Sequence, residues 1–536
     1  MAADPIIRTC SLALALAAAL PAAAQAPDDP AVYVRARAAD AEGAADLAAA
    51  GYAQALATAP EDSVVARRAY RQALAVGDYT LASRAAAVLV RAGTAPPDTA
   101  ILALALALRA GDASGAGRAV DRIAHGPFDF LAPALRAWLA FDRGEDAVAL
   151  LDGEPPDALA RRYTARHRAL LLIAAHRRDE AMVALAPLLS TGDAPDLRID
   201  AAQLLARTGE RRTARKLLEA AGEGAKAKRL DKGAKTGAAF GAARLFLDLA
   251  TEIGAEDMAD LSIVLTRAAL LLDPEEDRAR LHLASALSGE GSDALALAVL
   301  ADIRRDGPAS HAAAAGEIAA LRSAGRFPEA LARARKRAET RDATRDDLVT
   351  WGDVLAEAGD EAGAARAYAA ALARSGGDAE WRLHYLHGRA LDRSGQWEDA
   401  RAALRRAVAL APEQADALSY LGTAEIERGG DLAEAQAMLE RAAQAEPDNP
   451  AIADSLAWAY FRRGDAARAL PLLERAVQGD PAGTRANEHL GDVYWRLGRH
   501  YEARYAWRAA ALQAEGDAAA RLQAKLAGGM EARAVP

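Results

Sequence analysis

Between Ala243 and Asp517, apolar and small residues recur at spacings of three and four, in paired runs, and the pairs themselves recur about every 34 residues. Spacings of three and four put those positions on one face of an α-helix. In Pro450–Gly483, Leu456, Ala457 and Tyr460 form the apolar stripe of a first helix, and Ala469, Leu473 and Ala476 that of a second. Such a pair cannot bury both stripes alone, so it must stack on the next pair. Glycine stands where the two helices of a pair should turn, as at Gly359, Gly395, Gly464 and Gly498, because a helix C-terminus favours a left-handed residue. Proline closes the pairs at Pro274, Pro308, Pro412, Pro447 and Pro481, since it cannot donate the next backbone bond of a helix.

In register, the repeats begin at Ala243, Asp277, His311, Arg345, Trp381, Ala415, Pro450 and Thr484, with two extra residues before Trp381 and one near Gly429. The clearest copy, Trp381–Gln414, places Gly388, Leu391, Ala400, Leu404, Ala407 and Pro412 at its positions 8, 11, 20, 24, 27 and 32. The last repeat ends at Gly516, and Asp517–Ala527 predicts a capping helix. Upstream the pattern is weaker, but Ala82 and Ala116 keep the small position 20, and turns are expected near Gly77, Gly111, Gly144, Arg177 and Gly209. The expected organisation is therefore a leader at 1–24, degenerate helical repeats at 25–221, a Gly/Lys-rich linker at 222–242, eight repeats at 243–517, and a capping helix with a tail at 518–536. A separate helical bundle is the alternative for the segment before the linker.

At these residues the chain resembles the tetratricopeptide-repeat (TPR) family, and more narrowly the exported repeat proteins of Gram-negative bacteria. The stretches that carry the resemblance are SYLGTAEIERGGDLAEAQAMLERA from Ser419, DSLAWAYFRRGDAARALPLLERAV from Asp454 and NEHLGDVYWRLGRHYEARYAWRAA from Asn487. The resemblance implies an all-α fold, an α-solenoid of helix-turn-helix repeats in a right-handed superhelix. It also implies a non-enzymatic scaffold that binds a protein or peptide partner on its concave surface, lined by positions 2, 5, 9, 12 and 13 of each first helix. Aromatic and arginine side chains, the types that dominate binding hot spots, cluster at those positions. The expected partner-binding groove comprises Tyr385, Arg389, Arg393, Trp458, Phe461, Arg462, Asp492, Trp495 and Arg496. Against this stands a plainer reading: Arg389, Asp392 and Arg393, or Asp492 and Arg496, form a solvated ion-pair surface, and the tryptophans pack between repeats. The basic and asparagine residues of chaperone-tail clamps are not matched by Tyr385/Arg389, Ser419/Thr423, Asp454/Trp458 and Glu488/Asp492.

Composition narrows the classes further. Alanine dominates, only 5% of the 536 residues are aromatic, and the formal net charge is −9, which favours helices and repels nucleic acid and anionic lipid. Arg8, the apolar run Cys10–Leu20, Pro21 and Ala22–Ala24 have the layout of a secretory signal peptide, so an exported, periplasmic chain is expected, with no integral membrane span. Cys10 is the only cysteine and lies in the segment expected to be removed, which excludes disulfides and thiol chemistry from the mature chain. Gly233–Gly237 lacks the glycine that a phosphate loop places before its lysine, and His384 with His387 finds no third ligand for zinc. No cofactor and no metal are expected. The reading is a scaffold in cell-envelope assembly, with a glycan-associated or polysaccharide-export scaffold and a cytoplasmic TPR adaptor as alternatives.

Overall fold

The computed structural model describes residues 30–153, 157–190, 195–219, 235–254, 258–304, 309–376 and 380–530. These form 28 α-helices and no strand, so the fold is all-α, a solenoid of helical repeats. The expected leader at 1–24 lies outside the described residues, as does most of the expected linker. The chain divides into two compact units, Met1–Arg326 and Phe327–Pro536. The division falls inside the third repeat of the expected register.

The N-terminal unit contains α1 (Pro30–Ala41), α2 (Ala45–Thr58), α3 (Ser63–Val76), α4 (Tyr79–Arg91), α5 (Thr99–Ala110), α6 (Ala113–Ala124), α7 (Ala132–Asp142), α8 (Ala158–Ala174), α9 (Arg178–Ser190), α10 (Pro195–Arg207), α11 (Arg211–Glu219), α12 (Ala238–Ile253), α13 (Ala259–Leu272), α14 (Asp277–Gly289), α15 (Asp293–Ala301) and α16 (Ser310–Ser323). Helices α1 to α6 pack as successive hairpins. The second and third turns use a Gly-Asp pair: Gly77 and Gly111 end α3 and α5 with φ of 85° and 70°, while Asp78 and Asp112 accept backbone N–H bonds at the start of α4 and α6. Glycine takes that left-handed conformation at no steric cost, and the aspartate satisfies donors that the new helix leaves open.

Helix α12 is apolar on all sides, with Phe240, Ala242, Ala243, Leu245, Phe246, Leu247 and Leu249 all buried, as an interior helix must be. It packs against α5, α7, α13 and α14. Ala238–Ala242, expected as the end of a linker, are instead its buried first turn. The glycines around them suggested looseness, but Phe240 meets the Trp138 ring edge-on at 5.9 Å, and Asp142 of α7 accepts the Ala238 N–H at 3.1 Å to cap the helix from outside. Polar side chains intrude at Asp248, 12% exposed, and at Arg244, 1% exposed, which reaches Asp200 at 2.8 Å and Asp273 and Glu276 at 2.9 Å. Three carboxylates around one guanidinium compensate its desolvation. Burial raises Glu276, but Arg278 and Arg244 outweigh that and hold it well below the usual carboxylate range.

The C-terminal unit contains α17 (Phe327–Ala338), α18 (Arg345–Glu357), α19 (Glu361–Ser375), α20 (Trp381–Arg393), α21 (Trp397–Leu410), α22 (Ala415–Glu427), α23 (Leu432–Ala445), α24 (Pro450–Arg462), α25 (Ala466–Gly479), α26 (Thr484–Arg496), α27 (His500–Ala511) and α28 (Gly516–Gly528). From α18 onward these are antiparallel pairs stacked in chain order, and α18, α20, α22, α24 and α26 start at the residues where the period starts its repeats. Small residues let the paired helices touch. A Cβ on Gly388 would lie 2.6 Å from Leu404, and one on Gly491 would lie 2.3 Å from the Trp507 ring. Among the described residues, no helix is long and apolar enough to cross a membrane.

Candidate partner-binding groove

The first helices of successive pairs, α20, α22, α24 and α26, line a cleft of about 290 Å³ in the C-terminal unit. Its walls are Tyr385 and Asp392 from α20; Asp416, Ser419, Tyr420, Thr423 and Glu427 from α22; Asn449, Ala451, Ile452 and Ser455 at and on α24; and Arg485 from α26. The helical period places these side chains on one face, since residues three and four apart share it.

At one end, Tyr385 and Tyr420 meet edge to face, with centroids 5.9 Å apart at 89°. The Arg389 guanidinium lies 5.4 Å from the Tyr385 centroid and 5.9 Å from that of Tyr420, and its Nε is buried without an acceptor. Tyr420 donates its hydroxyl proton to Asp392 at 2.9 Å, and Arg428 pairs with the same carboxylate. Burial and then Asp392 push the Tyr420 hydroxyl up to about 12. Burial likewise raises Tyr385; Arg389 opposes the rise, while the charge of Asp416 adds to it. At the other end, Arg485 is held by Asp454 at 2.8 Å, and His489 bonds the second Asp454 oxygen at 2.7 Å. Asp416 and Glu427 are exposed on the lining and have no ion-pair partner among the described residues. The cleft thus presents two uncommitted carboxylates, which attract a cation by charge, beside two tyrosine rings over which Arg389 already lies.

The residues expected from sequence fall into three separate groups. Tyr385, Arg389 and Arg393 share α20; only Tyr385 lines the cleft, and Arg393 reaches Glu361 at 3.1 Å. On α24, Trp458 lies flat on His489 of the next repeat, with centroids 3.9 Å apart at 9°, and stacks on Phe461 of its own helix at 5.0 Å. Arg462 is exposed and forms no ion pair among the described residues. On α26, Asp492 is 3% exposed and accepts from Lys525 at 2.7 Å and from the Trp507 indole at 3.0 Å. Trp495 packs on His500 and Trp507 and lies tight against Gly529 just after α28. Both are covered by the chain's own last helix, whereas Arg496 is exposed.

Tyr420, Asn449, Ile452 and Ser455 belong to the cleft without having been expected there. Tyr420 stands one position beyond the expected lining position Ser419. Its ring reaches the cleft through an edge contact with Tyr385, a contact between repeats that periodicity does not show. Among the described residues, no cluster of three His, Cys, Asp or Glu side chains suits a metal ion.

Stacked helical hairpins whose first helices line a common cleft define a helical-repeat protein. Residues 385–450, 427–483 and 455–521 match, in overlapping copies, the family model described as tetratricopeptide repeat. Residues 385–521 are thus tetratricopeptide repeats. No curated protein matches it. Similar solved structures include the crystal structure of MamA, 25% identical over 30% of this chain and 91% of that one, with a TM-score of 0.27. YrrB, described as a TPR protein with an unusual peptide-binding site, is 22% identical over 32% of this chain and 88% of its own, with a TM-score of 0.28. The C-terminal part of a TPR repeat-containing protein from Cytophaga hutchinsonii is 13% identical over 36% and 77% of the two chains, with a TM-score of 0.31.

Proposed function

We propose that this chain is a non-enzymatic scaffold that holds a peptide segment of a protein partner in the concave cleft between α20 and α26, with a lysine or arginine of the partner seated between Tyr385, Tyr420, Asp416 and Glu427. The observation that carries the reading is the pair of uncommitted carboxylates beside edge-to-face tyrosines in that cleft. A cation there gains Coulomb attraction from two carboxylates that no side chain of the described residues pairs, and the edges of the tyrosine rings add apolar contact for its stem. Trp458, Phe461, Arg462 and Arg496 extend the contact along the same row of helices. Asp492 and Trp495 serve the C-terminal cap instead.

The compartment belongs to the same proposal. Arg8, the apolar run to Leu20 and Ala22–Ala24 support export, and an exported binding scaffold suits cell-envelope assembly. N-terminal sequencing of the mature chain should begin just after Ala24; an intact Met1 would exclude export. Crosslinked pull-down from the envelope fraction, run in parallel with Asp416→Asn/Glu427→Gln, should recover a protein that the double variant loses. Recovery of glycan alone, or equal recovery by both chains, would overturn the protein-scaffold reading.

A further inference from the structure

The N-terminal unit encloses a cavity of about 860 Å³ between α1 and α3 on one side and α13 and α14 on the other, within the size range of small-molecule sites. Its apolar walls include Phe128, Leu74, Ile263, Val264 and Leu287. Its polar lining can be counted donor by donor. Arg37 and Arg68 both approach Asp40, at 3.4 and 3.5 Å; Arg71 pairs with Asp260; and Arg67 donates to the Thr94 carbonyl at 2.9 Å. Asp40 also accepts from Tyr52 at 2.8 Å and from the Gln72 amide at 2.6 Å. Every arginine of the lining therefore has an acceptor on the protein.

The acceptors do not balance in the same way. Gln72 Oε1 and Asp98 Oδ1 are buried and have no hydrogen-bond donor. The other Asp98 oxygen receives a long bond, 3.4 Å, from Tyr70. Glu290 stands exposed on the lining without an ion pair among the described residues. A buried acceptor without a donor forfeits its lost hydration, and two in one cavity define what that cavity lacks. The lining holds four arginines, Arg37, Arg67, Arg68 and Arg71, and four carboxylates, Asp40, Asp98, Asp260 and Glu290, so its formal charge balances; what is lacking is donors, and a cation at Asp98, which forms no ion pair among the described residues. A primary ammonium supplies three donors and no acceptor, and the leucine, isoleucine, valine and phenylalanine walls suit an apolar body attached to it.

From this accounting we propose that the cavity is a binding site for a primary ammonium group on an apolar body, with Asp98 as counter-ion and Gln72 as second acceptor. The chemistry is shared by a free small amine and by the amino terminus of a peptide.

The test is isothermal titration of the full-length chain at pH 7 with phenethylammonium chloride, using 2-phenylethanol as the neutral counterpart and Phe-Ala-Ala-amide with a free or acetylated amino terminus as the peptide arm. The amine should bind one to one and the alcohol should not. Asp98→Asn, close to isosteric, should weaken binding at least tenfold with unchanged far-UV circular dichroism. Gln72→Leu should weaken it less, and it keeps the test open if the first variant misfolds. Binding of the free but not the acetylated peptide identifies a peptide end as the source; binding of phenethylammonium alone identifies a small amine. Equal binding of the alcohol, unchanged affinity in both variants, or binding of no probe would overturn the assignment.

Discussion

Replacing Leu522 by alanine should undock α28 while leaving the repeats beneath it folded. Leu522 is the only fully buried side chain of that helix, and it packs in a cluster with Ala503, Trp507 and Ala510. Truncating a fully buried leucine costs about 2–5 kcal/mol. The polar contacts that remain are worth less. Arg521 forms a two-pronged pair with Glu488 but is 53% exposed, which puts it below about 1 kcal/mol. Lys525, 15% exposed, bridges Glu488 and Asp492 at 2.7 Å and contributes about 1.5–3 kcal/mol. Ordering the terminal residues costs about 1–2 kcal/mol each in backbone entropy, so the apolar anchor decides the balance. A loss of 2 kcal/mol raises the undocked population about 30-fold. Hydrogen exchange should show protection falling across residues 516–528 but not across α24 and α25, and tryptophan emission should shift red as Trp495 and Trp507 meet water. Protection of 516–528 within threefold of the parent chain, or unfolding of the whole C-terminal unit together, would refute the reasoning.

Further outcomes follow from the same contacts. Gly388→Leu and Gly491→Leu should each cost about 1–3 kcal/mol by overpacking a helix crossing, since Leu404 and Trp507 already lie within 3 Å of any added Cβ; unchanged urea midpoints would contradict the crossings. Arg244→Ala should cost about 3–5 kcal/mol, because Asp273 then keeps no ion-pair partner among the described residues, and a loss under 1 kcal/mol would show that the buried network is dispensable. Asp248 is pushed up to about 8, by burial first and by the charge of Asp200 second. A carboxyl whose value is raised by folding contributes stability that is fully present below its ordinary value near 4 and is lost as pH rises toward 8. The N-terminal unit should therefore be more stable at pH 5 than at pH 9, and Asp248→Asn should flatten that difference in denaturant melts; an identical slope in both chains would assign it to other groups.

The period carried a great deal of the fold. Helices start at Asp277, Arg345, Trp381, Ala415, Pro450 and Thr484, where the recurrence of small and apolar residues starts its repeats, because a helix pair that must stack leaves the same stripe every time. What the period could not show is long-range. Helix α12 looks like any alanine-rich segment beside a glycine-rich stretch, and only its neighbours α5, α7, α13 and α14 make it an interior helix. Arg244 and its carboxylates are up to 44 residues apart in sequence, so no local pattern joins them. At the groove, spacing selects the concave positions but cannot say which ones the chain covers itself: Lys525 takes Asp492 from 33 residues away. The cavity beneath α13 is invisible in the same way, since its walls come from segments more than 200 residues apart.

On the proposed function, the cleft of the C-terminal unit recognises a basic side chain of its partner. The most direct measurement is the affinity of the full-length chain for peptides selected on a random-sequence array, each compared with its Lys-to-norleucine or Arg-to-citrulline counterpart and with the Asp416→Asn/Glu427→Gln chain. The retained peptides should carry lysine or arginine, and either change should weaken binding at least tenfold with helicity unchanged. Retained peptides without a basic residue, or affinities indifferent to both changes, would contradict that recognition.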